Sequence, residues 1–353
     1  MFEALYLAVG FLAALVAAAV ICRGVMMLGV VDAPTEARKT QTVPVPTLGG
    51  LGVAAGSAIG IAAALSIGSW SIGPWSPSNT VLVAFGGALA GLCVGLADDT
   101  MRIPPLGRLL ATLVIAFTMT VLGVRVDVLA LWPGSALDLL VIGGVIGSVM
   151  WLIVIANAVN FMDGANGLSM GMAAIAAAGL AAAAAVTGAW NIALLSAVLS
   201  GGLCGFLVWN LSGKLFVGDT GAYFVGMLLG ALSLNLVALR PDLLFVPPIL
   251  LMPFLSDVIL TVLWRLKHGK KFWVAHRDHA YQIALKAGLK HWQVSLIHAV
   301  WALNAAVIGL VAAIVGREVP PIAFVILLAV STWLHLWVRK VGVRAGLVGA
   351  TVA

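Results

Sequence analysis

The chain has 353 residues, of which 62% are hydrophobic and 9% charged, with a formal net charge of +6. A water-soluble fold cannot hide that much apolar surface, whereas a protein dissolved in lipid needs few polar residues. The positive balance has no basic domain behind it, which excludes nucleic acid as a partner and reads as loops facing anionic lipid.

Met1-Phe2-Glu3 runs directly into apolar residues, an acidic start that predicts an uncleaved first span rather than a secretory signal. A bilayer crossing takes about 20 apolar residues, and about 11 segments qualify, near 3–22, 48–68, 80–97, 108–124, 137–155, 168–187, 191–211, 222–239, 243–264, 294–316 and 321–338. Their unbroken Leu- and Ala-rich runs lack alternation and exclude a barrel. The predicted fold is an all-α polytopic integral membrane protein, a single domain over 1–353. Cys22, Cys93 and Cys204 show neither metal-ligand nor disulfide spacing.

Alternating the spans sorts the loops into two sets. Of the 19 Lys and Arg, one set keeps only Arg125, Arg240 and Arg317, while the other holds the rest, Arg38, Lys39, Arg108 and Arg265 among them. The positive-inside rule makes the rich set cytoplasmic, the N-terminus outside and the C-terminus inside. Asp98, Asp99, Asp163, Asp219 and Asp278 then all fall on the cytoplasmic side, in loops near 32–47, 98–107, 156–168, 212–221 and 265–293. None of these loops is long enough to fold as a nucleotide-binding domain, and Ser212-Gly213-Lys214 lacks the spacing of a phosphate loop. No internal repeat suggests a two-halved transporter.

The polar islands carry the chemistry. Asp98 and Asp99 end the third span, where two carboxylates oppose the helix dipole and a plain boundary would place Lys; with Arg102 they offer a metal ligand or base beside a phosphate-binding cation. Asn157, Asn160, Asp163 and Asn166 recur every three residues, a spacing that aligns them along a tight turn and suits a nucleotide base, a sugar or a hydrated magnesium ion. Asp219, in Gly218-Asp219-Thr220-Gly221, is by itself as readily a helix cap as a ligand. His276-Arg277-Asp278-His279 lacks a third zinc ligand. The block better fits a nucleotide diphosphate, with Arg277 as phosphate fork, or else an interfacial segment anchored by Trp273 and Tyr281. Asp257, deep in the ninth span beside Pro253 and after Pro247-Pro248, predicts a bent helix and a side chain facing the interior or a wet cleft.

Pro44-Val45-Pro46-Thr47-Leu48-Gly49-Gly50, Gly95-Leu96-Ala97-Asp98-Asp99, Asn157 to Gly164, Gly218-Asp219-Thr220-Gly221 and the His276 block, taken in order, resemble the polyprenyl-phosphate N-acetylhexosamine-1-phosphate transferases (the MraY/WecA superfamily, glycosyltransferase family 4). The likeness runs from about Lys39 to Gln282. It leans to the branch that starts O-antigen and related surface glycans, since the triple histidine of the peptidoglycan branch is missing. That branch has a second aspartate where Asn166 stands, which leaves this position hydrogen bonding to sugar or base. The resemblance implies a bacterial inner-membrane enzyme with its active site facing the cytoplasm. Such an enzyme moves a sugar phosphate from a UDP-N-acetylhexosamine to undecaprenyl phosphate and releases UMP. It implies Mg2+, with Mn2+ as substitute, on Asp219 and Asp99. Asp98, Asp99 and Asp163 then carry catalysis, and Arg102, Asn157, Asn160, Asn166, His276, Arg277 and His279 bind substrates. Membrane lipid and a second copy of the chain are the other partners it allows. A peptidoglycan-type transferase and a secondary transporter are the rival expectations.

Overall fold

A computed structural model describes residues 2–33, 43–68, 79–271 and 276–347. Arg38, Lys39 and Trp273, and with them most of the first expected loop, lie outside the described residues. Among the described residues thirteen α-helices carry the fold: α1 (Phe2–Val25), α2 (Gly49–Gly68), α3 (Asn79–Met101), α4 (Pro105–Val121), α5 (Leu140–Phe161), α6 (Leu168–Val186), α7 (Trp190–Asn210), α8 (Gly218–Leu239), α9 (Val246–Leu250), α10 (Met252–Lys267), α11 (Ala280–Lys286), α12 (His291–Val315) and α13 (Val319–Arg344). Two small antiparallel pairs complete it, β1 (Val31–Asp32) with β2 (Val45–Pro46) and β3 (Val128–Trp132) with β4 (Ser135–Asp138). The β3–β4 hairpin occupies a stretch read from sequence only as a connection.

Every expected apolar segment is helical, and the differences are in how they cross. Among the described residues, nine helices are long and apolar enough to span a membrane alone. The expected ninth span is instead a pair, Pro241–Leu250 and Met252–Lys267, bent by 74°. Pro247, Pro248 and Pro253 each remove a backbone donor there, which explains the break. The expected fourth span is α4, with 17 residues. At 1.5 Å per residue it reaches about 26 Å, short of a hydrocarbon core of about 30 Å. Where about 11 spans were expected, the described residues hold nine helices long enough to cross, one bent pair and one shorter apolar helix.

α8 is the central column: nearly all its residues from Thr220 to Val237 are buried. It packs against α2, α3, α5 and α7. Lipid supplies no hydrophobic drive between helices, so close approach of small residues does the work. At Gly95 the backbone of α3 lies against the Asp219 carbonyl and the Thr220 amide of α8, leaving no space for a Cβ. This contact brings the acidic end of α3 onto the first turn of α8. Phe2 and the β3–β4 hairpin lie at the opposite end of the bundle from that contact, and the last turns of α13 lie at the same end, beside α11.

Replacing Gly95 by Ala forces backbone against backbone, where no rotamer change relieves the strain. We expect Gly95→Ala to destabilise the protein by about 1–3 kcal/mol, read as a lower melting temperature in detergent. Gly86→Ala, on the same helix with open space around it, should melt like the parent.

Candidate active site

The site begins with a helix start. Gly218 opens α8 at φ 72°, and a side chain there would collide with the Asp99 carboxylate and the Thr47 hydroxyl. Freed of that obstacle, Asp99 reaches across from α3 and accepts three hydrogen bonds. The Asp219 amide donates to Oδ1 at 3.0 Å; the Thr220 amide and hydroxyl donate to Oδ2 at 3.0 and 2.6 Å. Asp99 therefore caps α8 in trans, a carboxylate against the positive end of a helix.

That cap sets Asp98 and Asp219 side by side. Asp98 is buried; it accepts the Ile103 amide at 2.7 Å and Arg108 Nη1 at 2.6 Å. The same Arg108 nitrogen donates to Asp219 Oδ2 at 3.1 Å, and the Asn160 amide donates to Asp219 Oδ1. Arg108, in the first turn of α4, is thus the cation between two carboxylates. Sequence reasoning counted it only among loop charges and gave the role to Arg102, whose side chain is exposed on a residue with φ 55°.

The period-three run divides. Asn157 and Asn160 sit on α5, where the Asn157 amide turns back to the Ile153 carbonyl at 2.8 Å. Asp163 follows in the turn, its amide bonded to the Asn160 carbonyl at 3.1 Å. Asn166 leaves the line: its backbone accepts from the Ser295 hydroxyl at 2.7 Å, its amide meets His291 at 3.4 Å, and it lies against α12. Asn210, a residue with no motif to mark it, holds the end of this turn by accepting the Gly167 amide at 2.7 Å. The Asp163 carboxylate accepts no hydrogen bond among the described residues. Burial, with the charge on Asp99 adding to it, pushes this carboxyl up to about 7.

The His276 block lies beside that turn. Tyr281 is buried, not a headgroup anchor; its hydroxyl donates to the Phe161 carbonyl at 3.1 Å and presses on Gly164. His279 is also buried, 3.3 Å from Asp257 and stacked on His276 with ring centres 5.1 Å apart. Burial, with the charges of His279 and Arg265, pulls His276 down to about 4, so it is neutral near pH 7. Asp257 faces the interior, one of the two alternatives its sequence position offered, and no open groove is needed to explain it. It accepts the Ala280 amide at 2.9 Å, the Tyr281 amide at 3.3 Å and the Thr261 hydroxyl at 3.1 Å, capping α11.

Among the described residues no three His, Cys, Asp or Glu side chains are gathered as a metal cage. Magnesium does not require one, since it takes one or two carboxylates and completes its shell with water and substrate phosphates. The donors here are hard oxygens: Asp98 and Asp219 share a single guanidinium, and Asp163 lies near enough to Asp99 to feel its charge. That donor set fits a divalent ion. Asp99 accepts three hydrogen bonds from α8, whereas Asp219 accepts one from the Asn160 amide and one from a guanidinium it shares with Asp98, which leaves Asp219 the better placed ligand.

A family model described as glycosyl transferase family 4 matches residues 81–237, the stretch from α3 through α8. The chain is similar to the probable undecaprenyl-phosphate N-acetylglucosaminyl 1-phosphate transferase of Bacillus subtilis, 25% identical over 85% of this chain and 83% of that protein. It is 27% identical to the decaprenyl-phosphate N-acetylglucosaminephosphotransferase of Mycolicibacterium smegmatis, over 77% and 73%. It is 28% identical to the phospho-N-acetylmuramoyl-pentapeptide-transferase of Kocuria rhizophila, over 77% and 82%. These likenesses set the stretch from α3 through α8 with glycosyl transferase family 4, and the long apolar helices are those of a multi-pass membrane protein, as in those relatives.

Removing the Arg108 cation leaves Asp98 and Asp219 facing each other uncompensated. We expect Arg108→Ala to reduce turnover by about 100-fold or more, measured on purified protein whose elution from a sizing column matches the parent.

Proposed function

We propose that this protein transfers N-acetylglucosamine-1-phosphate from UDP-N-acetylglucosamine to a polyprenyl phosphate, undecaprenyl phosphate in the first instance, and releases UMP. The observation that carries this reading is the convergence of Asp98, Asp219, Asn160 and Arg108 at one end of the bundle, with Asp163 beside them. Carboxylates around one cation at a membrane boundary suit two phosphate substrates, one of them on a lipid. The lysine and arginine bias supports a cytoplasmic position for that end of the bundle in a bacterial inner membrane, and the product would open synthesis of a surface glycan.

The acceptor phosphate oxygen attacks the β-phosphorus. The bond from that phosphorus to the bridging oxygen breaks, and its electron pair leaves with UMP. Arg108 attracts the acceptor phosphate to the carboxylates that already hold its guanidinium. Asp98, with both oxygens engaged by Arg108 and Ile103, orients that cation. Asp163 is the carboxylate free to take the proton of a phosphate monoester whose second pKa is about 6. Asn160 and the exposed edges of His276 and Arg277 contact the donor, and His279 fixes their loop through Asp257. Magnesium, held by Asp219, would neutralise charge on the donor diphosphate.

The decisive experiment incubates detergent-purified protein with undecaprenyl phosphate, Mg2+ and a panel of UDP-sugars, and follows UMP. UMP release from UDP-N-acetylglucosamine, dependent on both acceptor and divalent cation, is the expected result. Release only from UDP-N-acetylmuramoyl-pentapeptide would assign the protein to the peptidoglycan step, and no release from any donor would remove the reading.

Asp163 also gives a pH dependence. A base must be unprotonated to act, so activity is present above its pKa and lost below. We expect kcat/KM to rise with pH to a plateau, with an apparent pKa of about 7. The stability effect has the opposite sense. A carboxyl whose folded pKa is raised binds its proton more tightly folded than unfolded, so stability falls as pH rises from the ordinary carboxylate range to about 7. Asp163→Asn should therefore lose turnover by about two orders of magnitude or more while melting no lower than the parent at pH 8.

A further inference from the structure

The last helix takes part in none of the site contacts described above, yet it carries two buried polar side chains aimed at the 276–279 segment. Arg339 and His335, one turn apart on α13, are 3% and 5% exposed. Arg339 Nη2 donates to the Thr261 hydroxyl of α10 at 2.7 Å and to the Asp278 carbonyl at 2.8 Å, and Nε donates to His335 Nε2 at 2.7 Å. Its guanidinium lies over the Trp264 ring, 4.5 Å from the ring centre. Asp278 is gripped a second time, by Arg265 of α10 on its carboxylate. At the other end of α11, Lys286 Nζ donates to the Arg277 carbonyl at 2.8 Å and to the Leu347 carbonyl, just past α13, at 3.3 Å. The segment from His276 to Lys286 is thus tied to the end of α13 at two separated points.

Such an arrangement is unusual for a helix that otherwise faces lipid. A buried guanidinium is costly to desolvate and contributes little net stability even when paired. Simple anchoring of α13 to α10 could be done by apolar packing. What a guanidinium adds is direction, since its planar fork fixes an acceptor carbonyl at a set position. That carbonyl belongs to Asp278, between Arg277 and His279.

We infer that Arg339, backed by His335, is a positioning residue that sets the orientation of the 276–279 segment, so that α13 controls affinity for the nucleotide-sugar donor without touching the reacting groups. This inference rests on the transferase reading above. Arg339 lies outside the stretch matched by the family model, and its neighbours Lys340 and Arg344 disguise it as one more boundary charge.

The test is steady-state kinetics on purified Arg339→Gln and Arg339→Lys proteins, with UDP-N-acetylglucosamine and undecaprenyl phosphate varied separately. Arg339→Gln should raise the donor KM about tenfold or more, leave the acceptor KM and kcat within about twofold, and Arg339→Lys should recover only part of the loss. If Arg339→Gln does not fold, His335→Leu removes the acceptor of the guanidinium Nε while leaving the hydrogen bonds on Asp257 in place, and should move donor KM in the same direction. An unchanged donor KM, or a fall in kcat alone as from a smaller folded fraction, overturns the positioning role while leaving the transferase reading intact. A parent protein that releases no UMP overturns both.

Discussion

The contact on which the rest depends is the Asp99 carboxylate against the first turn of α8. A helix start leaves several amides without partners, and here two of them, together with the Thr220 hydroxyl, are satisfied by a side chain from another helix. Hydrogen bonds to a charged group contribute roughly 1.5–3 kcal/mol each, enough to fix how α3 and α8 meet. Gly95 and Gly218 make that meeting close. Without it, neighbouring carboxylates would separate to reduce their repulsion. With it, Asp98 and Asp219 are held within reach of one Arg108 nitrogen.

The charge balance follows from this constraint. Two carboxylates share one guanidinium, Asp163 adds a third acidic group nearby, and among the described residues no second cation bonds to any of them. An apolar surround makes such an imbalance costly unless the group is protonated or a cation arrives. The raised Asp163 carboxyl reflects the first outcome; a divalent ion accompanying a diphosphate would be the second. The site is thus built to be completed by its substrates, which suits transfer between two phosphate esters.

Much of this was legible in the sequence because lipid penalises polar groups so strongly. An aspartate that survives at a span boundary has a reason to be there, and Asp98 and Asp219 do meet, with Asn160 of a third island bonded to Asp219. Arg108 was not legible, because the positive-inside bias scatters arginines through the same loops and nothing local distinguishes one that turns inward. The division of labour between Asp98 and Asp99 was hidden likewise, since adjacent residues differ in role only once the partner helix is placed. Asn166 fits the period of its run but not its direction: the chain turns at Gly167, with φ 77°, and carries it to α12. Tyr281 has the composition of an interfacial anchor, and only the cap on α11 by Asp257 explains its burial.

Two polar layers therefore meet at one end of the bundle, built on different physical grounds. The layer on α3, α4, α5 and α8 is acidic and undercompensated, so its energy changes most when a charged ligand enters. The layer on α10, α11 and α13 pairs Asp257 and Asp278 with Arg265, Arg339 and histidines, and is close to neutral. A balanced buried network responds weakly to an incoming charge, but it resists changes of shape, because moving one member leaves the others unsatisfied. Chemistry that stabilises phosphate charge belongs in the first layer. On the proposed reading, selection among donors that carry the same diphosphate but different sugars would fall to the second, where geometry rather than charge separates one ligand from another.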